Sequence, residues 1–594
     1  MDEMKQKMAD QFAMIVQRGM YNDADEMLRD LRKHVNADDY LSEDLCTTAA
    51  FLYNKLGDRE QELYYLQNGF MINASSPLIF ISLADYYSKT NVVQELICLH
   101  QAEYLAKKAG VKEQEEFAKT IINAIEKNGV TVPDTSIVIL SFNTRDYISQ
   151  CLDSIKETAP LERTQVIVVD NGSEDGSVEY LRSLDWITLI ENGENHGFPG
   201  GCNDGIKATE EGNDIWLLNS DTIVPVNALF WLKMGLYESK DTGSCGSITN
   251  YAANGQSVNI QANSPEDYVN AGKMLNIPNE YPYAYKPFLI GFSLLIRRTA
   301  LEKTGLLDER FNPGNSEDVD LGLRMNKEGY LNRLCLNSFI FHYGSRSFNQ
   351  LQKSAKEYND LLHVNNEKLV DKLGFNPFEF INGKIELLEE IKADKDASIH
   401  VLEAGCGIGA AAAIIRTMYP NAVYVGTEKD ERVASYAKAY GEVYCSDLDT
   451  LELPEEYNGC FDYIILGDSL QFSADPAALL SKISGYLKKK GRIVISISNI
   501  RHYSVILPLL IDGRFSYTQN GIIRKGTRTF FTENEAARLI SGNGYSIRDI
   551  KPISGDEPTE QEKHYLKSLA ELFEQPETDD FTAKEYIYLA EKMQ

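Results

Sequence analysis

Runs of aliphatic and β-branched residues alternate with helical stretches in two separate parts of this chain, and no other feature limits its fold as much. In the first part the runs are 136–141, 165–170, 187–190 and 215–218. In the second they are 399–403, 422–427, 463–466 and 492–496. Strands separated by helices imply crossover connections, and hence a parallel sheet with helices on both faces. The first block runs over about 131–380, a charged stretch at 387–396 leads into the second, and the second occupies 385–594. The 594 residues leave room for three to five domains at roughly 100–200 residues each.

Residues 1–130 have a different texture. Pro and β-branched runs are few, and apolar residues recur at helical spacing. Two stretches align at an offset of 33: Tyr53, Asp58, Gln61, Glu62, Leu63 and Leu66 correspond to Tyr86, Asn91, Gln94, Glu95, Leu96 and Leu99. Such a period resembles tetratricopeptide-type repeats. The other reading is a plain helical bundle that caps the next domain.

Charge excludes some partners. Lys and Arg number 59 against 88 Asp and Glu, a net charge of −29. Without a local basic patch, such a chain is repelled by nucleic-acid phosphates and by anionic lipid, and no patch stands out. No apolar stretch approaches the ~20 residues of a membrane span. The start, Met-Asp-Glu-Met-Lys, has no apolar signal core. Nine Cys lie scattered with no CxxC pair, which reads as reduced thiols in the cytoplasm.

In the middle block, chemistry-bearing residues stand at strand ends. The first run ends in Ser141-Phe142-Asn143, the second in Asp170-Asn171-Gly172-Ser173, and the fourth leads into Asn219-Ser220-Asp221. Ligands of open α/β sheets bind beyond the carboxyl ends of the strands. An aromatic there can stack on a base, and a carboxylate can accept its N–H or bind ribose. A glycine-rich stretch, His196-Gly197-Phe198-Pro199-Gly200-Gly201-Cys202-Asn203-Asp204-Gly205, is either a loop that a ligand approaches closely or a loop without one. Glu317, Asp318 and Asp320 crowd three carboxylates before a helix, which suits a cation or, equally, an acidic helix N-terminus. Phe341-His342-Tyr343-Gly344-Ser345 follows an apolar run.

As a set, over about 135–350, these motifs resemble family 2 glycosyltransferases of the GT-A fold, in particular the bacterial branch with rhamnosyltransferase-like enzymes. The stretch 288–293 and Gly305-Leu306-Leu307-Asp308-Glu309-Arg310-Phe311 also fit that branch. The resemblance implies that Ser141, Phe142, Asn143 and Asp170 hold the nucleoside of a nucleotide-diphosphate sugar, with Asn203 and Asn219 among the donor-binding residues. It puts Asp221 and His342 on Mg²⁺ or Mn²⁺. It makes Asp318 the base of an inverting transfer, with Glu317 beside it in the catalytic pair.

In the last block, Glu403-Ala404-Gly405-Cys406-Gly407-Ile408-Gly409 follows a strand, and Glu428 ends the next one. Tight glycine turns let backbone pass close to a cofactor, and an acid about twenty residues on can bind ribose hydroxyls. Over about 385–555 the set resembles class I S-adenosylmethionine methyltransferases of Rossmann-like fold. Glu403, Gly405, Gly407, Gly409 and Glu428 are then the cofactor-binding residues, with Asp447 on the adenine side. Relatives often read Asp-x-Leu-Glu-His after the next strand. Here the segment is Asp468-Ser469-Leu470-Gln471-Phe472, without the second acid or the His, and Arg524-Lys525-Gly526-Thr527 replaces a later Asp-x-x-His. A general base is therefore in question.

The expectation is a cytoplasmic, multidomain enzyme: an all-α repeat-like part, an α/β GT-A glycosyltransferase and an α/β methyltransferase-like domain. Its acceptor is a protein, such as flagellin or another surface protein, or a glycan, and the last domain methylates that glycan. The alternative is cell-surface polysaccharide synthesis with a non-catalytic methyltransferase-like scaffold and helices that serve oligomerisation.

Overall fold

A computed structural model describes residues 2–34, 41–344, 355–518, 521–572 and 579–593. Ser345, at the end of the histidine motif, lies outside them. The chain divides into two compact units, Met1–Leu369 and Val370–Gln594.

In the first unit, helices Glu43–Leu56 and Arg59–Ile72 form one antiparallel pair, and Pro77–Ser88 and Val92–Ala109 form the next. Their starts recur after 34 and 33 residues. The aligned Asp58 and Asn91 have the same job. Each is an N-cap whose side chain accepts a backbone N–H of the first turn, from Gln61 at 3.0 Å and from Val93 at 3.1 Å. The helices share one hydrophobic cluster with Phe230, Trp231 and Met234 of helix Ala228–Leu236. Phe80 meets Phe230 edge-on at 4.9 Å, and the Gln94 amide donates to the Met234 carbonyl at 2.9 Å. The helical part and the sheet that follows therefore belong to the same compact unit.

That sheet contains β1 (Thr135–Ser141), β2 (Thr164–Asp170), β3 (Thr188–Glu191) and β4 (Asp214–Asn219). Strand β5 (Thr222–Ile223) stands apart from it. The sheet continues with β6 (Thr242–Ile248), β7 (Tyr283–Lys286), β8 (Ser293–Ile296) and β9 (Leu331–Phe339), in spatial order β3-β2-β1-β4-β8-β6-β9-β7. The first four strands are parallel, as the alternation predicts. Strand β8 runs antiparallel between β4 and β6, and β7 antiparallel on β9, so the complete sheet is mixed. Strand β10 (Phe341–His342) pairs with β5 as a separate ribbon.

The glycine-rich stretch is a helix, Gly197–Lys207. Its glycines bring it onto the sheet: a Cβ on Gly201 would stand 2.3 Å from Leu140, and one on Gly205 2.4 Å from Val138. Only Gly fits there, and the reason is helix–sheet packing rather than the approach of a ligand.

The second unit contains β11 (His400–Ala404), β12 (Val423–Glu428), β13 (Glu442–Cys445), β14 (Phe461–Gly467), β15 (Leu487–Ser498), β16 (Tyr545–Ser554) and β17 (Ala583–Lys592). Their order is β13-β12-β11-β14-β15-β17-β16; the first five are parallel and β17 is antiparallel to both neighbours. Buried Leu402, Val425, Ile464 and Ile493 continue one core across it. Among the described residues, no helix is long and apolar enough to cross a membrane.

Candidate active site

The parallel register sets Ser141 beside Asp170 at the carboxyl ends of β1 and β2, and Leu140 beside Asn219 across β1 and β4. Asp170 is buried. Its Oδ1 accepts the N–H groups of Gly172 and Ser173, at 3.1 and 2.8 Å, which closes the turn after β2. Its Oδ2 is buried without a hydrogen-bond partner. Such an acceptor costs about 1–3 kcal/mol unless something donates to it. Asn143, with φ near 52°, donates its N–H to Ser173 Oγ and accepts from the Glu174 N–H, so the two strand-end loops are tied together. Ser141 Oγ lies 3.3 Å from Thr144 Oγ1, which donates to Ser220 Oγ, and Phe142 is half-buried beside them.

The β5–β10 ribbon pairs His342 with Thr222, which places the imidazole next to Asp221. His342 Nε2 lies 3.2 Å from Asp221 Oδ1 and 3.5 Å from the Asn219 amide nitrogen. The ring's other nitrogen, Nδ1, lies 3.0 Å from the Tyr251 carbonyl, which can only accept, so Nδ1 carries a proton. Nε2 therefore faces a carboxylate oxygen at close range, an arrangement held by a second proton or by a cation. Asn250 fixes the His342 backbone from both sides, accepting its N–H and donating to its C=O. The Phe292 ring stacks on the imidazole at 5.2 Å. Among the described residues, no group of three or more His, Cys, Asp and Glu side chains could hold a metal ion. Any ion at Asp221 and His342 would complete its shell with ligand oxygens or water.

Gly291, which precedes Phe292, donates its N–H to Asp318 Oδ2 at 3.1 Å, so neighbouring residues of one segment meet Asp318 and His342. Burial raises the Asp318 carboxyl above its ordinary value. Glu317 is buried deeper; burial, and then the charge of Asp318, push it well above the carboxylate range, and its Oε2 has no hydrogen-bond partner. Asp320 is ion-paired with Arg324 at 2.8 Å, so the three carboxylates have three separate environments. Buried Asn365 steadies the loop before them, donating to the carbonyls of Phe311 and Gly314. Asn203 bridges inside the protein, donating to the Leu307 carbonyl and Glu309 and accepting the Leu307 N–H.

In the second unit, Gly405, Gly407 and Gly409 all have positive φ, at 85°, 54° and 86°. A Cβ on Gly407 would stand 2.5 Å from the Phe380 ring, and one on Gly409 2.9 Å from Tyr440. Only Gly405 faces a looser neighbour, Ser469 Oγ at 3.4 Å. Glu428 accepts three backbone N–H groups, from Gly407, Lys429 and Asp430. Burial pushes the Glu403 carboxyl up to about 8, and it accepts the Tyr424 hydroxyl at 2.6 Å. Asp447 is exposed after β13, and its Oδ1 accepts the Asp449 N–H. After β14, burial alone would raise Asp468, but Lys384 at 2.7 Å and Arg524 beside it hold its carboxyl below the usual range. The Gln471 side chain is bonded to both the Ser498 N–H and its hydroxyl.

Residues 136–305 match the family described as Glycosyl transferase family 2, and residues 395–520 match a methyltransferase domain. The chain carries a family 2 glycosyltransferase domain and a methyltransferase domain. A poly(ribitol-phosphate) beta-glucosyltransferase of Bacillus spizizenii is 38% identical over 100 residues, 16% of each chain. Glycosyltransferase AglE of Haloferax volcanii is 30% identical over 118 residues, 19% of this chain and 38% of that one. These matches span far less than two thirds of either relative. A solved mannosyltransferase of Pyrobaculum calidifontis, in complex with GDP-Man and Mn²⁺, is 17% identical and overlaps 46% of this chain and 80% of its own, with a TM-score of 0.27.

The glycosyltransferase domain thus gathers Ser141, Asn143, Asp170, Asn219, Asp221, His342 and Asp318 along one edge of its sheet. Asn250, Tyr251 and Asn365 were not among the sequence candidates. The Asn250 and Asn365 side chains act on backbone atoms of distant segments, Tyr251 acts on the His342 ring through its own carbonyl, and nothing in their local sequence marks them.

Proposed function

We propose that this chain transfers a sugar, with inversion, from a nucleotide-diphosphate sugar to an acceptor hydroxyl. The observation that carries the reading is the Asp221–His342 pair, whose protonated Nδ1 turns Nε2 toward a carboxylate. Oxygen and imidazole donors held this way suit Mg²⁺ or Mn²⁺, and a backbone carbonyl that fixes the tautomer is the usual support of a ligating His. When bound, the ion offsets the negative charge of the departing diphosphate. Asp170 Oδ2 is free to accept an N–H of the nucleobase, and Phe142 and Asn143 line the nucleoside side. The acceptor oxygen bonds to the anomeric carbon, its proton passes to Asp318, and the nucleoside diphosphate leaves. Product anomer analysis, with Mn²⁺ and with EDTA, tests this; a retained configuration, or turnover indifferent to EDTA, overturns it.

For the acceptor we place a glycan or glycopolymer ahead of a protein. The helices bury Phe70 and Phe80 against Phe230 and Trp231, so this aromatic surface is not available to grip a partner. One relative is named for action on poly(ribitol-phosphate). The methyltransferase domain binds S-adenosylmethionine through Gly405, Glu428 and Asp447, with methyl transfer disfavoured by the occupied Asp468 and Gln471. Mass spectrometry of surface polymers and flagellin from cells lacking this chain separates the acceptors. Loss of sugar from a protein alone would reverse the order.

A further inference from the structure

The first unit holds a cavity far from the candidate active site. Thr135 and Thr164, which line it, begin β1 and β2, whereas the candidate active site stands at the carboxyl ends of those strands. Helix Val92–Ala109 of the helical part and helix Ala228–Leu236 supply other walls. The space measures about 700 Å³, its open mouth included, and small-molecule sites span ~300–1,000 Å³. Most of the wall is apolar, with Ile97, Ile155, Trp216, Val224 and Leu229 in it.

The polar groups of that wall are unfinished. Gln101 is only 6% exposed, yet among the described residues its side-chain amide makes no hydrogen bond. Thr135 Oγ1 and Asn227 Oδ1 are buried without a partner, and the Asn227 amide nitrogen is spent on the Ala74 carbonyl. Three such groups around one cavity are costly unless something enters to bond with them.

Charge is unbalanced there too, because no acidic residue lines the cavity. Arg163 has its own partner, Asp134 at 2.8 Å. His100 lies 3.7 Å from Glu126 and is held neutral: burial, and then the charges of Arg163 and Lys233, lower it to about 3. Lys233 is different. It donates to the Pro133 carbonyl at 2.8 Å, and among the described residues no carboxylate lies within 4.0 Å of it. Asp214, the acid whose charge supports it most, is already engaged by the Tyr237 hydroxyl and the Arg298 N–H. Burial lowers the ammonium to about 8, which leaves it mostly charged at neutral pH. An ammonium has three donors, and two of these have no partner.

We propose that this cavity binds a small monocarboxylate that has an apolar body and a hydroxyl group. The carboxylate accepts from Lys233 and the Gln101 amide, the body packs on the apolar wall, and the hydroxyl supplies the donor that Asn227 Oδ1 lacks. One unpaired cation matches one negative charge; a phosphate dianion would bring a second charge into an apolar wall without a partner. Such a ligand touches the helical part and the sheet together, so its binding stabilises their union.

The test is calorimetric titration and melting of the full chain with 4-hydroxyphenylacetate. The controls are its uncharged counterpart 4-hydroxyphenylethanol and inorganic phosphate. The carboxylate is expected to bind and to raise the melting temperature with concentration, and the controls are not. Lys233→Met should weaken binding about tenfold or more. Gln101→Leu should weaken it about tenfold and breaks no hydrogen bond within the protein, so it serves even if Lys233→Met fails to fold. Saturating UDP or GDP with Mn²⁺ should leave the probe bound, since the proposed donor site is at the other end of the strands. No binding of the carboxylate at millimolar concentration, equal binding of the uncharged counterpart, or binding of phosphate alone overturns the proposal. Unchanged affinity in Gln101→Leu, or displacement by the nucleotides, overturns it equally.

Discussion

The two sheets of this chain end in opposite ways. In the glycosyltransferase domain, polar atoms of the candidate site are buried without partners: Asp170 Oδ2, at the end of β2, and Glu317 Oε2, at the start of helix Glu317–Lys327, have none. At the matching edge of the methyltransferase domain the charged groups are paired within the protein, and the orphaned atom there is the neutral Thr427 hydroxyl. Asp468 has Lys384 and Arg524, Glu428 has three N–H groups, and Gln471 has Ser498. An orphaned buried acceptor costs stability, and such features cluster where a ligand supplies the missing donor. A saturated cluster needs no ligand and offers few free lone pairs. The first edge leaves charged acceptors unfilled, as the proposed donor binding requires, and the second has its charged groups filled already.

The strongest test of this contrast is the base. Asp318→Asn keeps the size and one of the two backbone hydrogen bonds, since Gly291 and Val319 donate to different oxygens, and it cannot take a proton, so turnover should fall about 10²–10⁴-fold with donor affinity nearly intact. Glu317→Gln should cost no more than a few-fold, because burial already disfavours the charged form. Initial rates against donor concentration decide it; the reverse ranking would exchange the two roles. Since burial also raises Asp318, the rate should fall on acidification at a pH above the ordinary carboxylate range.

Next is the unsatisfied acceptor. Asp170→Asn keeps an oxygen for the Gly172 and Ser173 N–H groups but replaces the orphan oxygen with a donor. Nucleoside diphosphate affinity should drop about 10–100-fold, the worth of one hydrogen bond to a charged group. The unliganded protein should stay within about 1 kcal/mol of the parent in stability, because the Asn oxygen keeps both N–H groups and one unpaired buried atom is exchanged for another. Calorimetric titration and a melting curve measure the two effects separately. Lower stability with unchanged affinity would make Asp170 a turn residue only.

These contrasts were partly legible in the sequence. Parallel strands β1–β4, β11, β12, β14 and β15 showed because each contains a short apolar run between helices, while β13, Glu442–Cys445, has no such run and did not; a strand end fixes where the next polar residue must stand. Asp170 and Asp221 are placed by that logic, whereas Asp318 was marked by the acidic cluster before a helix and by the family resemblance. The helix Gly197–Lys207 was hidden, because glycines that local propensity reads as a loop are there to meet Leu140 and Val138 at close range. The antiparallel insertion of β8 depends on distant pairing that no local pattern encodes. Lys384 lies far along the chain from Asp468 and from Arg524, so the clamp on Asp468 exists only after folding. The replaced acid and His near Gln471 and Phe472 were visible, but not the Lys384 clamp beside them.

The third test concerns the saturated edge. S-adenosylhomocysteine in large excess over its dissociation constant should raise the apparent stability of the methyltransferase domain by about 2–3 kcal/mol. Gly405→Val should abolish that shift, because Gly405 has the open face. Phe380→Ala should leave it or enlarge it, since it uncovers Gly407. Absence of any shift would make the whole edge structural, and the contrast with the first domain complete.

The smallest expected effect comes from Glu403, which sits at the end of β11 with its carboxyl raised from an ordinary 4.5 to about 8 by burial. A carboxyl raised in the folded state binds its proton more tightly there than in the unfolded chain. The stability it contributes is therefore complete below the unfolded value, near 4.5, and is lost as pH rises through about 8. The Tyr424 hydroxyl opposes the shift by stabilising the charged form, and the value of about 8 is what burial leaves after that opposition. Glu403→Gln keeps the hydrogen bond and cannot ionise. It should leave a flatter dependence of melting temperature on pH between about 5 and about 9, with the variant more stable than the parent at the alkaline end. Equal slopes in both proteins would mean that Glu403 titrates normally, and the cofactor-side edge of β11 would then be wetter than its burial implies. A cofactor that occupies this edge should steepen the parent's slope where it favours the neutral carboxyl and flatten it where it donates a hydrogen bond to the charged one. The same titration repeated with S-adenosylhomocysteine therefore reads out which form the ligand meets.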